Sequence, residues 1–303
     1  MNSKNIRDYK CFVNNDEISL GEVISSNKKR YTDAYIKSEP MSRLSEDYKN
    51  IKSNIYCILP FSHTIEAEAM GADIKYGIED GFGPRARKNI CDTMESILQL
   101  EDINFQEGTV KEILSAIKIL KSKGEKVILE ISGPFIIMDF LIDSKKVYKS
   151  LRKKDDIGFK VFDKFKRNIL NYAKEAIKAG VDVISYADSS AGVTILGPRL
   201  VENSYNMFTR DFLIELEKLA KKEKVLIHLC PKIAQIIIAM ENKDFKEVDL
   251  NSEKPLSYEE AIFQIENRIK DEEMSVFMGQ MCINMSKTKM YSGKIKMIEL
   301  LEE

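Results

Sequence analysis

The run "KVLIHLCPK", residues 224–232, holds His228, one of two histidines in the chain, with Cys230 two positions on. Side chains alternate across an extended strand, so residues two apart project to one side. Their Cα atoms stand about 6.6 Å apart. Bonds of about 2.1 Å from an imidazole nitrogen and about 2.3 Å from a thiolate sulfur let both reach one metal ion. The next apolar run ends in "GQMC", which brings Cys282 to a strand end one βα unit later. One imidazole and two thiolates make a soft donor set suited to Zn²⁺, with a fourth position left over. A structural zinc is normally closed by four protein ligands, often in paired C-x-x-C spacings, which this chain lacks. Three ligands at strand ends point instead to catalysis. A buried cysteine is more often an inert small hydrophobe, so spacing alone leaves both readings open.

Other candidates are weaker. His63 in "PFSHTIEAEA" suits a ligand, a base or a hydrogen-bonded structural histidine equally well. Ser62 beside it does not make a hydrolase, because no G-x-S-x-G nucleophile elbow is present. The "GFG" at 81–83 is an isolated G-x-G without a preceding strand, a poor phosphate cradle.

The elements that must position these groups follow from periodicity. Residues 109–123, "TVKEILSAIKILKSK", carry Val110, Ile113, Leu114, Ile117 and Leu120 at helical spacing, and the strand "VILEIS" follows. "VFDKFKRNILNYAKEAIKAG" reads as a long helix closed by Gly180, leading into the strand "VDVISYAD". "TRDFLIELEKLAKKEK" then precedes "VLIHLC", and "SYEEAIFQIENRIKDE" precedes "MSVFMGQMC". An earlier strand is "NIYCILPF" at 54–61. Helix, short turn and strand, repeated, is the pattern of parallel βα units. Without an internal repeat or linker, one α/β domain over 1–303 is expected, with an irregular extension over about residues 1–50 and the βα units over about 54–303. The strand count, five or six, fits either a barrel or an open doubly wound sheet.

Composition narrows the function classes. Across 303 residues, Lys and Arg total 47 and Asp and Glu 48, so the formal net charge of −1 gives no basic excess for nucleic acid. The lysines are interleaved with acids, as in "IELEKLAKKEK", which is a solvated helix face. No run of eighteen apolar residues spans a membrane, and "MNSKNIRDYK" lacks the apolar core of a signal peptide, so a cytoplasmic location is expected. Cysteines at 11, 57, 91, 230 and 282, odd in number and scattered, are not a disulfide framework.

Each strand ends in reactive or small groups: "CILPFSHTIEAE", "ILEISGP", "ISYADSSAG", "IHLCPK" and "FMGQMC". In parallel α/β folds ligands bind at the carboxyl ends of strands, so these five ends are expected to share one site. In the same order, "LPFSHTIEAEAMGADIKYG", "ISGPF", "YAKEAIKAGVDVISYADSSAG" with "LGPRLVENSY", "LIHLC" and "GQMC" resemble the uroporphyrinogen decarboxylase superfamily. Within it they are most similar to the branch of zinc-dependent methylcobamide:coenzyme M methyltransferases, whose zinc motif is H-x-C…C. The resemblance runs from about residue 55 to about 285 and implies a (β/α)8 TIM barrel. It implies His228, Cys230 and Cys282 as the zinc ligands, and Asp188 and Glu66 as catalytic groups, with Glu68 near them. His63, Ser132 and Tyr186 would line the substrate pocket. The sequence departs from that branch at Pro231, where glycine is expected, and lacks the arginine-rich N-terminal segment of decarboxylases.

The implied reaction is methyl transfer from a methylated corrinoid, carried on a partner corrinoid protein, to a small thiol acceptor such as coenzyme M. A decarboxylase-like alternative needs cations for several carboxylates, and Arg85, Arg87 and Arg199 are the plausible suppliers near strand ends. A non-catalytic zinc-binding or corrinoid-docking module is a third reading. Neither nucleic acid nor a membrane is an expected partner.

Overall fold

The computed structural model describes residues 6–10, 19–76 and 83–300. Cys11 and the first two residues of "GFG" lie outside them. The main sheet contains β1 (Tyr56–Leu59), β2 (Lys126–Ser132), β3 (Val183–Ala187), β4 (Leu226–Leu229), β5 (Lys246–Asp249), β6 (Phe277–Met278) and β7 (Lys294–Ile298). Its order is β1-β2-β3-β4-β6-β7-β5. From β1 to β6 neighbours run parallel, whereas β7 is antiparallel to both β6 and β5. The five strands expected from sequence are the five parallel ones.

The helices that cover the sheet are α1 (Ser38–Ile51), α2 (Gly108–Ser122), α3 (Pro134–Leu141), α4 (Asp156–Ala179), α5 (Val193–Ser204), α6 (Arg210–Glu223), α7 (Pro231–Glu241) and α8 (Tyr258–Asp271). The long α4 starts where the Asp155 carboxylate accepts from the Gly158 amide at 2.9 Å. It stops at Gly180, whose φ of 98° is costly for any other residue.

Strand alternation sorts the core into two layers. Cys57, Leu59, Val127, Leu129, Ile184, Tyr186, Ile227, Leu229 and Phe277 are buried with the apolar stripes of α2, α4, α6 and α7. Their alternates Tyr56, Ile128, Val183, Leu226, Met278 and Met297 pack instead with Tyr258, Ala261, Ile262, Ile265 and Ile269 of α8. Each such burial contributes roughly 2 kcal/mol. A buried ion cluster pins α8 in place: Glu266 accepts from Lys126 Nζ at 2.9 Å, from the Tyr56 hydroxyl at 3.3 Å and from Lys270.

Two expectations need correction. No closed eight-stranded barrel is found among the described residues; the strand order has two ends, β1 and β5, and β7 runs against both of its neighbours. The physical reason is twofold. Between β1 and β2 the described chain forms helices and only a small ribbon, Ile74–Lys75 with Arg85–Ala86, in place of further sheet strands. The face that a barrel would enclose is filled by α8. Nor is the N-terminal extension irregular throughout, since among its described residues it holds a helix at Leu20–Ser26 and α1. The first is nucleated by a capping box in which the Ser19 hydroxyl accepts from Glu22 N at 3.2 Å and Glu22 accepts from Ser19 N at 2.6 Å. Among the described residues no helix is long and apolar enough to cross a membrane.

Candidate functional site

His228 sits inside β4 with 1% of its surface exposed, on the α8 side of the sheet. Parallel register places Glu130, Ser185, His228 and Met278 in one row across four strands. Nδ1 of His228 lies 3.2 Å from the Ser185 hydroxyl, and Nε2 lies 3.0 Å from the Met281 carbonyl. A carbonyl only accepts, so Nε2 carries the hydrogen and Nδ1 accepts from Ser185. Burial pulls the imidazole down to about 4, so it is neutral at pH 7, the state in which histidine ligates a metal.

Cys230 follows β4 as the residue before α7. Its amide donates to the Tyr186 carbonyl at 2.8 Å, and its own carbonyl accepts from Ala234 at 3.0 Å. Pro231, unexpected from the resemblance, is the first residue of α7, where its fixed φ suits the helix and its missing N–H leaves nothing unsatisfied. Cys282 stands four residues beyond β6, before the turn Ile283–Met285, and is half-buried like Cys230. The loop carrying it approaches β4 closely because residue 279 is glycine. A Cβ there would meet the Leu229 carbonyl oxygen at 2.7 Å and the Ala234 Cβ at 3.1 Å. His228, Cys230 and Cys282 thus occupy the ends of two neighbouring strands.

The first residue of α8, Tyr258, completes this neighbourhood. It is fully buried, and its ring meets that of His228 edge-on at 6.0 Å and 67°. Its hydroxyl makes no side-chain hydrogen bond and faces the Met281 backbone. Burial holds the phenol far above its ordinary range; the Met281 backbone acts against this, and Cys282 adds to it.

A second group of expected residues gathers at the ends of β1 and β2. Glu66, 2% exposed, accepts from the Ser132 amide at 2.7 Å, and the Ser132 hydroxyl donates to the His63 carbonyl at 3.4 Å. Burial raises the Glu66 carboxyl, with the Ser132 amide opposing. The His63 side chain is exposed. Glu68 turns to Tyr76 and to Thr109, whose hydroxyl donates at 2.9 Å.

Asp188 lies one residue past β3 and accepts from the Ile136 and Phe135 amides at 3.0 and 3.3 Å, clamping the N-terminus of α3. The clamp requires Gly133, since a Cβ there would fall 2.5 Å from Asp188 atoms. Burial pushes the Asp188 carboxyl up to about 8 against the pull of the two amides. Tyr186 lies on the opposite face from Ser185 and His228, its ring 4.8 Å from that of Phe212, so it packs beneath the helices. Strand alternation dictates this once Ser185 faces His228.

Of the arginines of the decarboxylase alternative, Arg85 lies in the small ribbon, Arg87 is half-exposed and paired with Asp73 at 3.1 Å, and Arg199 is exposed on α5. The other thiols fit structural roles: burial pushes Cys57 up to about 12, and Cys91 is likewise buried and raised.

Sequence reasoning missed Ser185, Glu130 and Tyr258. The first two carried a signal, being polar residues in apolar strands on the same alternation as the strand-end groups. Glu130 is raised by burial, with His63 opposing. Tyr258 carried none beyond its place after the helix-starting Ser257.

Neutral imidazole and two thiols suit zinc chemically. Among the described residues, however, no three His, Cys, Asp or Glu side chains are drawn close enough to enclose a metal ion. His228 Nε2 bonds the Met281 carbonyl instead. The donor set fits; its side chains are not gathered around a common point.

A methylcobamide:CoM methyltransferase MtbA of Methanosarcina acetivorans is 25% identical over 223 residues, covering 73% of this chain and 64% of that protein. A methylcobamide:CoM methyltransferase MtaA of Methanosarcina barkeri is 24% identical over 219 residues, covering 71% and 63%. The chain therefore spans slightly less than two thirds of the length of these curated relatives. A solved methyltransferase from Methanosarcina mazei shares the fold, with a TM-score of 0.60 at 22% identity over 75% of this chain and 66% of that one. Residues 56–285, from the start of β1 to just past Cys282, match the family described as Uroporphyrinogen decarboxylase (URO-D), and the chain belongs to that family.

Proposed function

We propose that the chain is a corrinoid-dependent methyltransferase, moving a methyl group from a methylated corrinoid on a partner protein to a small thiol such as coenzyme M. The observation that carries this reading is the neutral, buried His228 beside Cys230 and the Cys282 loop, in a chain related to methylcobamide:CoM methyltransferases. His228, Cys230 and Cys282 would hold zinc. Bound there, zinc supplies Lewis acidity that favours loss of the acceptor's thiol proton. In the overall reaction the acceptor's S–H proton leaves to solvent, an S–C bond forms, and the Co–C bond breaks with its electron pair remaining on cobalt.

The chain's own residues would hold this site in shape. Ser185 fixes the Nδ1 side of His228 and so aims Nε2 at the Cys282 loop. Gly279 lets that loop approach β4. Asp188 and Glu66 act as positioning groups, anchoring the start of α3 and the end of β2 through backbone amides. His63 and Ser132 would form the wall on the β1–β2 side.

The test is elemental analysis of the purified protein and its Cys230→Ala variant, followed by methylcobalamin turnover with a panel of thiols. About one zinc per chain, lost in the variant, together with thiol-dependent loss of the methyl–cobalt absorbance, is expected. Absence of zinc uptake would remove this mechanism. Zinc retained without methyl transfer to any thiol would favour a non-catalytic corrinoid-docking protein.

A further inference from the structure

The nitrogen of His228 that faces the Cys282 loop is already taken. Nε2 donates to the Met281 carbonyl at 3.0 Å, while Nδ1 accepts from the Ser185 hydroxyl at 3.2 Å. A metal needs a ring nitrogen that carries no hydrogen and whose lone pair is unshared. Neither nitrogen of His228 meets that condition in this arrangement. Met281 directly precedes Cys282, so the backbone that caps the imidazole is continuous with one of the expected thiolates.

The chain on either side of this contact is anchored. Gly279 is pressed against β4, where a Cβ would meet the Leu229 carbonyl oxygen at 2.7 Å. Gln280 is tied to β7, its Oε1 accepting from the Lys296 amide at 2.8 Å. Beyond the thiol, Ile283 is buried, and the Met285 sulfur accepts from the Tyr9 hydroxyl at 3.2 Å. Between these anchors Met281 and Cys282 are half-buried. Met281 also borders open space, a cavity of about 200 Å³ that it lines together with Glu247, Gln280, Ser292, Lys294 and Lys296. That volume is several times the ~30 Å³ share of one liquid water, which is room for a displaced peptide group.

We propose that the Met281 carbonyl is an autoinhibitory cap on His228, and that the Met281–Cys282 stretch must swing outward into the adjoining cavity to uncover Nε2 for a metal. This rests on the zinc reading above. The imidazole changes tautomer as the cap leaves: Nε2 gives up its hydrogen, Nδ1 takes one, and the ring stays neutral. Ser185 permits the exchange, because a hydroxyl that donates to a bare Nδ1 can turn and accept from a protonated one. The cap competes with the metal for one nitrogen, so it lowers apparent metal affinity by the worth of one buried hydrogen bond, roughly five- to tenfold.

The chain holds two histidines, so their ring nitrogens can be followed individually by nitrogen–proton correlation NMR. Chelator-treated protein is titrated with zinc, bound metal is measured after desalting, and amide hydrogen exchange is recorded before and after. The expected result is a His228 Nε2–H signal before zinc and an Nδ1–H signal after it. Amide exchange should change across residues 280–283 and stay constant across β4. Ser292→Trp, on an exposed turn, puts a large ring into the cavity. Its chelator-treated melting temperature should match wild type, with zinc affinity roughly tenfold weaker by chelator competition. Bound zinc with the Nε2–H signal retained would overturn the cap, since the metal would then be held without His228. Unchanged loop exchange together with wild-type zinc affinity in Ser292→Trp would overturn the outward swing. No zinc uptake by the wild-type chain would remove the zinc reading and the cap with it, and metal analysis alone tells that outcome from the others.

Discussion

Ser185 and His228 are register partners on adjacent parallel strands, and the serine hydroxyl stands 3.2 Å from Nδ1 of the imidazole. The strand pairing itself therefore sets which ring nitrogen faces the Cys282 loop. Ser185→Ala removes this restraint and leaves Nδ1 unmatched in a buried setting. A loss of about 1 kcal/mol in urea unfolding is expected, and, on the proposed zinc-dependent function, zinc affinity about tenfold weaker by chelator competition.

The neutral state of His228 makes the metal-free protein acid-sensitive in a defined window. Its value falls from 6.5 in the open chain to about 4 when folded. Between these values the unfolded chain takes up a proton that the folded chain refuses, so stability is lost as pH falls from 6.5 toward 4 and levels off below. Unfolding free energies compared with His228→Gln across this range should show a shallower slope in the variant.

Gly133→Ala drives a methyl group into the Asp188 carboxylate. The clamp on α3 must then shift, at a cost of about 1–3 kcal/mol, read as a lowered melting temperature. A wild-type melting temperature would mean that Asp188 moves without penalty.

Much of this architecture was legible before the structure. The runs around Ile128, Ile184, Ile227 and Phe277 are apolar and bounded by turns, and each became a parallel strand. The resemblance carried His228 and the cysteines to neighbouring strand ends. The strands β5 and β7 were not legible, because "KEVD" is almost wholly charged, "KIKMI" mixes lysines with apolar residues, and both are too short to stand out. The side of the sheet taken by α8 was equally hidden: "SYEEAIFQIENRIKDE" shows an apolar stripe but not which face receives it. Tyr186 shows the same limit, since only the register reveals that it lies on the face opposite His228.

Lys126 and Glu266 test that placement of α8. With the Glu266 side chain 1% exposed, Lys126→Met leaves a buried carboxylate supported by Lys270 and Tyr56 alone. A loss of about 2 kcal/mol is expected. The double variant Lys126→Met with Glu266→Met should recover much of it in urea unfolding. No recovery would show that the pair does not act as a unit.

The position of α8 also governs approach. With that helix packed against the sheet face that carries His228, the imidazole has solid protein on that side. Anything that is to touch the imidazole must displace backbone already in place there, the Met281 carbonyl first.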